Sequence, residues 1–204
     1  MGSPVGDAAS PDASLADGRP SWGAAPSAGC ASPTVLFVYP VSYTLAMKLP
    51  DALVVFPDEK PAFLNMVLPW NWPDQGDWEA FQDGYRYSSV TDQNLTGEGD
   101  GQWRPGWWVI ASNYFCDPFI IDTDEAETGY PVYHAVPGAG RWDLEQVAPT
   151  VSAFREILTI LQDKENVDAD GVDTSDLVMW VEASCGGTSK YWAEVLESYG
   201  SDDE

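Results

Sequence analysis

Apolar residues follow two different spacings along this chain, and the change comes near Pro149. Before it they gather in short runs rich in β-branched and aromatic residues, a composition that fits a pleated, half-buried surface. TVLFVYPVSYTLAMKL, from Thr34, predicts strand structure, and ALVVF, bounded by Pro50-Asp51 and Pro57-Asp58, predicts another short strand. AFLNMVL, between Pro61 and Pro69, fits a strand or one to two helical turns. WEAFQDGY predicts a short helix that stops at Gly84, and the glycine-rich run that follows predicts turns. WWVIAS and FIID, separated by NYFCDP, predict a hairpin; PVYHAV adds a third strand before the turn PGAGRW.

Beyond Pro149 the period becomes helical. Val151, Phe154, Leu158 and Leu161 recur at helix spacing, Ile157 widens the stripe, and Pro149 suits the first turn. LVMWVEAS predicts a short helix with Thr174 or Ser175 as its cap and Gly186-Gly187 as its stop. In SKYWAEVLESY, Trp192, Val195, Leu196 and Tyr199 share one helix face. DKENVDADGVDTSD, between the first two helices, reads as an acidic linker. Strands followed by helices predict an α+β fold: a largely antiparallel sheet with helices packed on one face. Residues 1–33, rich in Ala, Ser, Pro and Gly, predict a disordered lead that cannot bury enough apolar surface to offset its ordering. A single domain is expected over 34–199, with an acidic tail over 200–204.

Charge narrows the partners. The 204 residues hold 33 acidic and 9 basic side chains, a formal net charge of −24. A field of that sign opposes approach to nucleic acid and to anionic lipid. It leaves a solvated acidic surface kept for solubility, or a partner that is itself strongly basic. The three cysteines, Cys30, Cys116 and Cys185, form no CxxC pair, which suits a reducing compartment better than a disulfide framework or a zinc site. No basic n-region or continuous apolar h-region marks the first thirty residues, and no apolar run is long enough to span a bilayer. A cytoplasmic monomer is the expectation.

The order of motifs carries a resemblance. A tryptophan-led strand with Trp108, Val109 and Ile110 is followed by a turn with Asp117-Pro118 and a strand ending at Asp122. Then come Pro131-Val132-Tyr133, Trp142 in a turn, and a helix carrying Ala148, Val151 and Phe154. This succession, over about residues 103–161, resembles the SUKH superfamily of bacterial immunity proteins, which is related to a yeast cell-wall and glucan-synthesis regulator. The family's Leu-Pro…Asn-Gly-Gly opening segment has only LPDALVVF as a counterpart here. The resemblance implies a compact α+β scaffold, not an enzyme, that binds and neutralises a toxin domain such as a nuclease or deaminase. A toxin that cleaves nucleic acid must be basic to hold phosphates, so an acidic binder would block its site and speed association. The alternatives are a regulatory scaffold of the same fold and a metal-dependent hydrolase.

Candidate chemistry is sparse. Asp117 and Asp122 could pair for acid–base work, but Asp-Pro shapes a turn and Asp122 ends a strand. Asp122, Asp124, Glu125 and Glu127 form a compact acidic loop without the spacing or glycine of an EF-hand, so it reads as a contact patch for a basic partner or a solvated loop. His134, the single histidine, reads as structural; Cys116, with no basic neighbour, reads as an inert thiol, and Cys185 as part of a helix stop. Trp70 and Trp72, among prolines, are candidate interface anchors. No residue is assigned to catalysis, to a metal or to a cofactor.

Overall fold

A computed structural model describes residues 60–74, 76–167, 174–185, 187 and 189–200. The lead over 1–33 and the strands expected at 34–49 and 52–56 lie outside the described residues, as does the acidic tail beyond Gly200. The described chain opens with irregular structure, a 3-10 turn at Ala80–Gln82, and a small ribbon of β1 (Tyr87–Ser88) and β2 (Gln93–Asn94). Four longer strands follow: β3 (Trp107–Ser112), β4 (Pro118–Asp122), β5 (Val132–Pro137) and β6 (Trp142–Ala148). They pair antiparallel in the order β3-β4-β5-β6, as short connections between successive strands require. Three helices close the fold: α1 (Val151–Val167), α2 (Thr174–Cys185) and α3 (Lys190–Gly200). The fold is α+β.

The two faces of the sheet are covered differently. Trp108, Ile110, Phe119, Ile121, Val132 and Val147 meet the helices, where Phe154, Ile157, Leu158 and Leu161 of α1 and Trp192 and Val195 of α3 are all buried. The stripe predicted for α1 is therefore its core face, and each such side chain contributes on the order of 1.5–3 kcal/mol by leaving water. The opposite face carries Trp107, Val109 and Ile120, packed with Trp103, Phe81, Tyr85, Tyr133, Trp142 and Leu144. Among the described residues no α-helix packs on that second cluster; aromatic side chains from loops, strands and the 3-10 turn cover it. Burial on both faces explains why WWVIAS is apolar throughout rather than alternating, since all six of its residues are buried.

The outer edge of β3 is closed by the preceding loop. The Gln82 side-chain amide accepts from Val109 N at 2.9 Å and donates to Val109 O at 3.0 Å, standing in for a neighbouring strand. Asn71 and Ser112 exchange backbone hydrogen bonds, both at 2.9 Å. An edge paired in this way cannot recruit a foreign strand.

Several local expectations are corrected. The turn read at PGAGRW gives way at Trp142 to β6, whose outward residues are polar and whose burial begins only near Val147. AFLNMVL forms turns, neither strand nor helix, although Phe63 and Leu68 reach the core. WEAFQDGY yields only three residues of 3-10 helix, because Gly84 at φ 87° turns the chain away. Pro149, expected in the first turn of α1, precedes the helix, which Thr150 caps: its Oγ1 accepts from Ala153 N at 3.0 Å. DKENV belongs to α1 rather than to a linker.

Candidate functional site

The β3–β4 hairpin positions both groups of residues that the sequence singles out, one group at each end. At one end, β4 finishes at Asp122, opposite Trp107, and the chain enters a 3-10 segment, Thr123–Thr128. Asp122 is its N-cap: Oδ1 accepts from Asp124 N at 3.0 Å, while Oδ2 accepts from Trp107 Nε1 at 3.1 Å. Glu125 turns back to β5, where its carboxylate accepts from the Tyr133 hydroxyl at 2.9 and 3.1 Å. Burial, helped by that carboxylate, pushes the Tyr133 hydroxyl up to about 12. Gly129, at φ 86°, ends the segment. Asp124 and Glu127 are exposed, whereas Asp122 and Glu125 are half-buried and bonded within the fold. Of the four contact residues expected in this loop, two are thus hydrogen-bonded within the fold.

The other end of the hairpin is the turn Asn113–Asp117. Asn113 is buried and organises it: Oδ1 accepts from Phe115 N at 2.9 Å and Asp117 N at 2.8 Å, while Nδ2 donates to Asp117 Oδ2 at 3.1 Å. The Tyr85 hydroxyl donates to Cys116 O at 2.8 Å and is itself pushed up to about 12 by burial and by the Asp117 charge. Asp117 thus shapes the turn and is not paired with Asp122; six residues of β3, about 17 Å of strand, lie between the two ends. The acid–base pair considered for these carboxylates does not exist.

This turn presents rings to solvent. Tyr114 is 51% exposed and Phe115 57%, with centroids 5.7 Å apart and edge to face. Trp70 packs on Tyr114 at 5.4 Å and is itself 51% exposed; Met66, whose carbonyl accepts from Tyr114 N at 3.1 Å, is 53% exposed. Trp70 N donates to Ser112 O at 2.8 Å, so the loop that carries it is fixed to the end of β3. Trp72 goes elsewhere: it is half-buried against the helical core. The two tryptophans do not form one anchor, and Trp70 lies at the opposite end of β3 from the acidic loop. Tyr114, Phe115 and Met66 were missed in the sequence. The available signal was a pair of aromatic residues inside a polar turn, where nothing on either strand needs them.

The remaining candidates are structural. His134 is buried between Phe119, at 5.0 Å, and Tyr191, at 4.8 Å, and burial lowers its pKa despite the opposing pull of Asp117, Glu145 and Glu194. Cys185 Sγ donates to Val147 O at 3.2 Å, and burial pushes its thiol up. Cys116 overturns the sequence reading: it is disulfide-bonded, not an inert thiol, and its partner lies outside the described residues. Wide spacing along a sequence does not prevent two cysteines from meeting in space, and such bonds persist in oxidising surroundings. Among the described residues no three His, Cys, Asp or Glu side chains gather as a metal site requires, and no helix is long and apolar enough to cross a membrane. A scan of protein-family models gives no match to this chain, and neither does a search of curated proteins or of solved structures.

Proposed function

We propose that this chain is an immunity protein of the SUKH type, which binds a basic toxin domain, such as a nuclease or deaminase, and blocks its site. The observation that carries the reading is an exposed aromatic group, Trp70, Tyr114 and Phe115, on a chain with a formal charge of −24. Monomeric soluble proteins rarely leave several large rings together in water without a partner for them. The charge supplies the rest. An acidic surface steers a basic domain into fast encounter and occupies the positive cleft that would hold phosphate. The motif order over residues 103–161 supports the same family, and the fold class is the one it implies.

The proposed place of action is the cytoplasm, where such a toxin does its damage. The Cys116 disulfide stands against that placement, because cytoplasmic thiols are kept reduced. Thiol alkylation in intact cells, followed by mass analysis, decides between them: three alkylated cysteines support the cytoplasm, and one overturns it.

The function is tested by affinity capture from the host at low and moderate salt, followed by reconstitution. A captured basic domain whose nuclease or deaminase activity is abolished at one equivalent of this chain supports immunity. Capture of no such domain, or of one that stays active in the complex, overturns it.

A further inference from the structure

We infer that the β3–β4 turn patch, Trp70, Tyr114 and Phe115, is a preformed receptor for an arginine-bearing segment of a basic partner, and that the acidic loop at 122–127 is not the contact centre. The inference deepens the function proposed above and rests on it for the identity of the partner, though not for the chemistry of the patch.

Three observations carry it. The rings are held before any partner arrives. Asn113 fixes the backbone on both sides of Cys116, Tyr85 holds the Cys116 carbonyl, and Trp70 is tied to Ser112. A surface already in its bound shape loses little freedom on binding. Next, the rings meet edge to face, Trp70 on Tyr114 and Tyr114 against Phe115, and about half of each residue stays open to solvent. A guanidinium stacks on aromatic faces better than an ammonium does, and Trp and Tyr are the stronger acceptors. Finally, the surroundings select for positive charge. Asp117 sits in the same turn, and Asp77, which is exposed, follows Trp70 in its loop. Lys60, the base placed in that loop, is already paired with Asp74. A second copy carrying −24 would be repelled from the patch.

The acidic loop lacks these properties. Asp122 and Glu125 are engaged by Trp107 and Tyr133, which leaves Asp124 and Glu127 as solvated charges. Exposed charges of that kind change association rate and salt dependence more than they hold a complex together.

The experiment uses the full chain and a fluorescently labelled nona-arginine peptide, with fluorescence anisotropy at low and at physiological salt. The variants are Trp70→Ala, Tyr114→Ala, Phe115→Ala and the double charge reversal Asp124→Lys with Glu127→Lys. The aromatic substitutions change no charge, so any loss they cause is not electrostatic. Each is expected to weaken binding about tenfold at physiological salt, the scale of an interface hot spot. The charge reversal is expected to cost less than about threefold there and more at low salt. Should Trp70→Ala unfold the chain, Phe115→Ala carries the test, because its ring is the most exposed of the three.

Aromatic variants that bind like the parent, or a charge reversal that alone abolishes binding, overturn the inference. So does a dimer in light scattering that Trp70→Ala dissolves, since the occupant is then a second copy. Peptide affinity that rises when the Cys116 disulfide is reduced overturns it too, because the patch is then covered by the chain's own residues before Lys60. A chain that binds nona-arginine through the rings but protects against no toxin leaves the receptor standing and removes only the immunity reading.

Discussion

The two ends of the β3–β4 hairpin carry similar residue types and use them in opposite ways. At the Asp122 end, a tryptophan and a tyrosine point inward and donate to carboxylates, Trp107 to Asp122 and Tyr133 to Glu125. At the Asn113 end, a tyrosine, a phenylalanine and a tryptophan point outward, while the polar residues fold in to hold the turn. Acidic side chains are structural where they look like a binding loop. Aromatic side chains are exposed where they look like core. Residue type does not separate the roles; what separates them is whether the polar atom or the ring finds its partner inside the fold.

Among the polar side chains that hold the two ends, the largest expected effect is at Asn113. Asn113→Ala removes the acceptor of two backbone N–H groups and a donor to Asp117, from a side chain that is 1% exposed. A loss of about 2–3 kcal/mol in urea unfolding is expected, since each abandoned group costs its desolvation. A loss below about 0.5 kcal/mol would mean that the turn holds without it, and that the patch is not preformed. Asp122→Ala comes next, at about 1–2 kcal/mol, combining a lost N-cap with an indole N–H left without its acceptor. A neutral Asp122→Ala would return the acidic loop to the pool of free contact residues and weaken the contrast between the ends.

A proton gives a third, gentler probe of the turn end. His134 is buried beside Phe119, where β4 begins, and its folded pKa lies below the ordinary value. The unfolded chain therefore takes up a proton at higher pH than the folded one does. Stability should be flat above about pH 6.5 and fall as the pH drops from there toward the folded pKa. The slope cannot exceed about 1.4 kcal/mol per pH unit for one proton. His134→Phe should remove the slope in that window. Urea midpoints measured from pH 7.5 to 5.5 in both proteins check it, and an unchanged slope in His134→Phe would assign the titration elsewhere.

Much of the fold was legible in the sequence because it rests on period and packing. WWVIAS, FIID and PVYHAV bury nearly all their side chains, and α1 presents one unbroken apolar stripe. Strand β6 was not legible. WDLEQVA is mostly half-buried or exposed, and Glu145 serves α3 by accepting from Tyr191 N at 2.9 Å. The acidic loop was visible as a cluster, but its internal partners lie 15 and 8 residues away, on neighbouring strands, beyond any local pattern. The aromatic patch joins residues 66, 70, 114 and 115 through the closed edge of β3, a contact that only the tertiary fold creates. Cys116 is the same case in covalent form.

The smallest expected effect on stability is the one that separates the two ends most clearly. Phe115→Ala truncates a residue that is more than half exposed and whose ring meets that of Tyr114 edge to face. A surface substitution of this kind changes stability by about 0.5 kcal/mol or less. The equivalent truncation at the other end, Trp107→Ala, deletes a 6%-exposed side chain and should cost about 3–5 kcal/mol. Measured together by urea denaturation, the pair asks whether aromatic residues at the turn do anything for the fold. If Phe115→Ala also cost several kcal/mol, the ring would be covered in solution and the patch would be core. If it costs nothing, then a large apolar ring is held in water by a buried asparagine for some purpose other than folding, and binding is the purpose that an exposed, prearranged ring can serve.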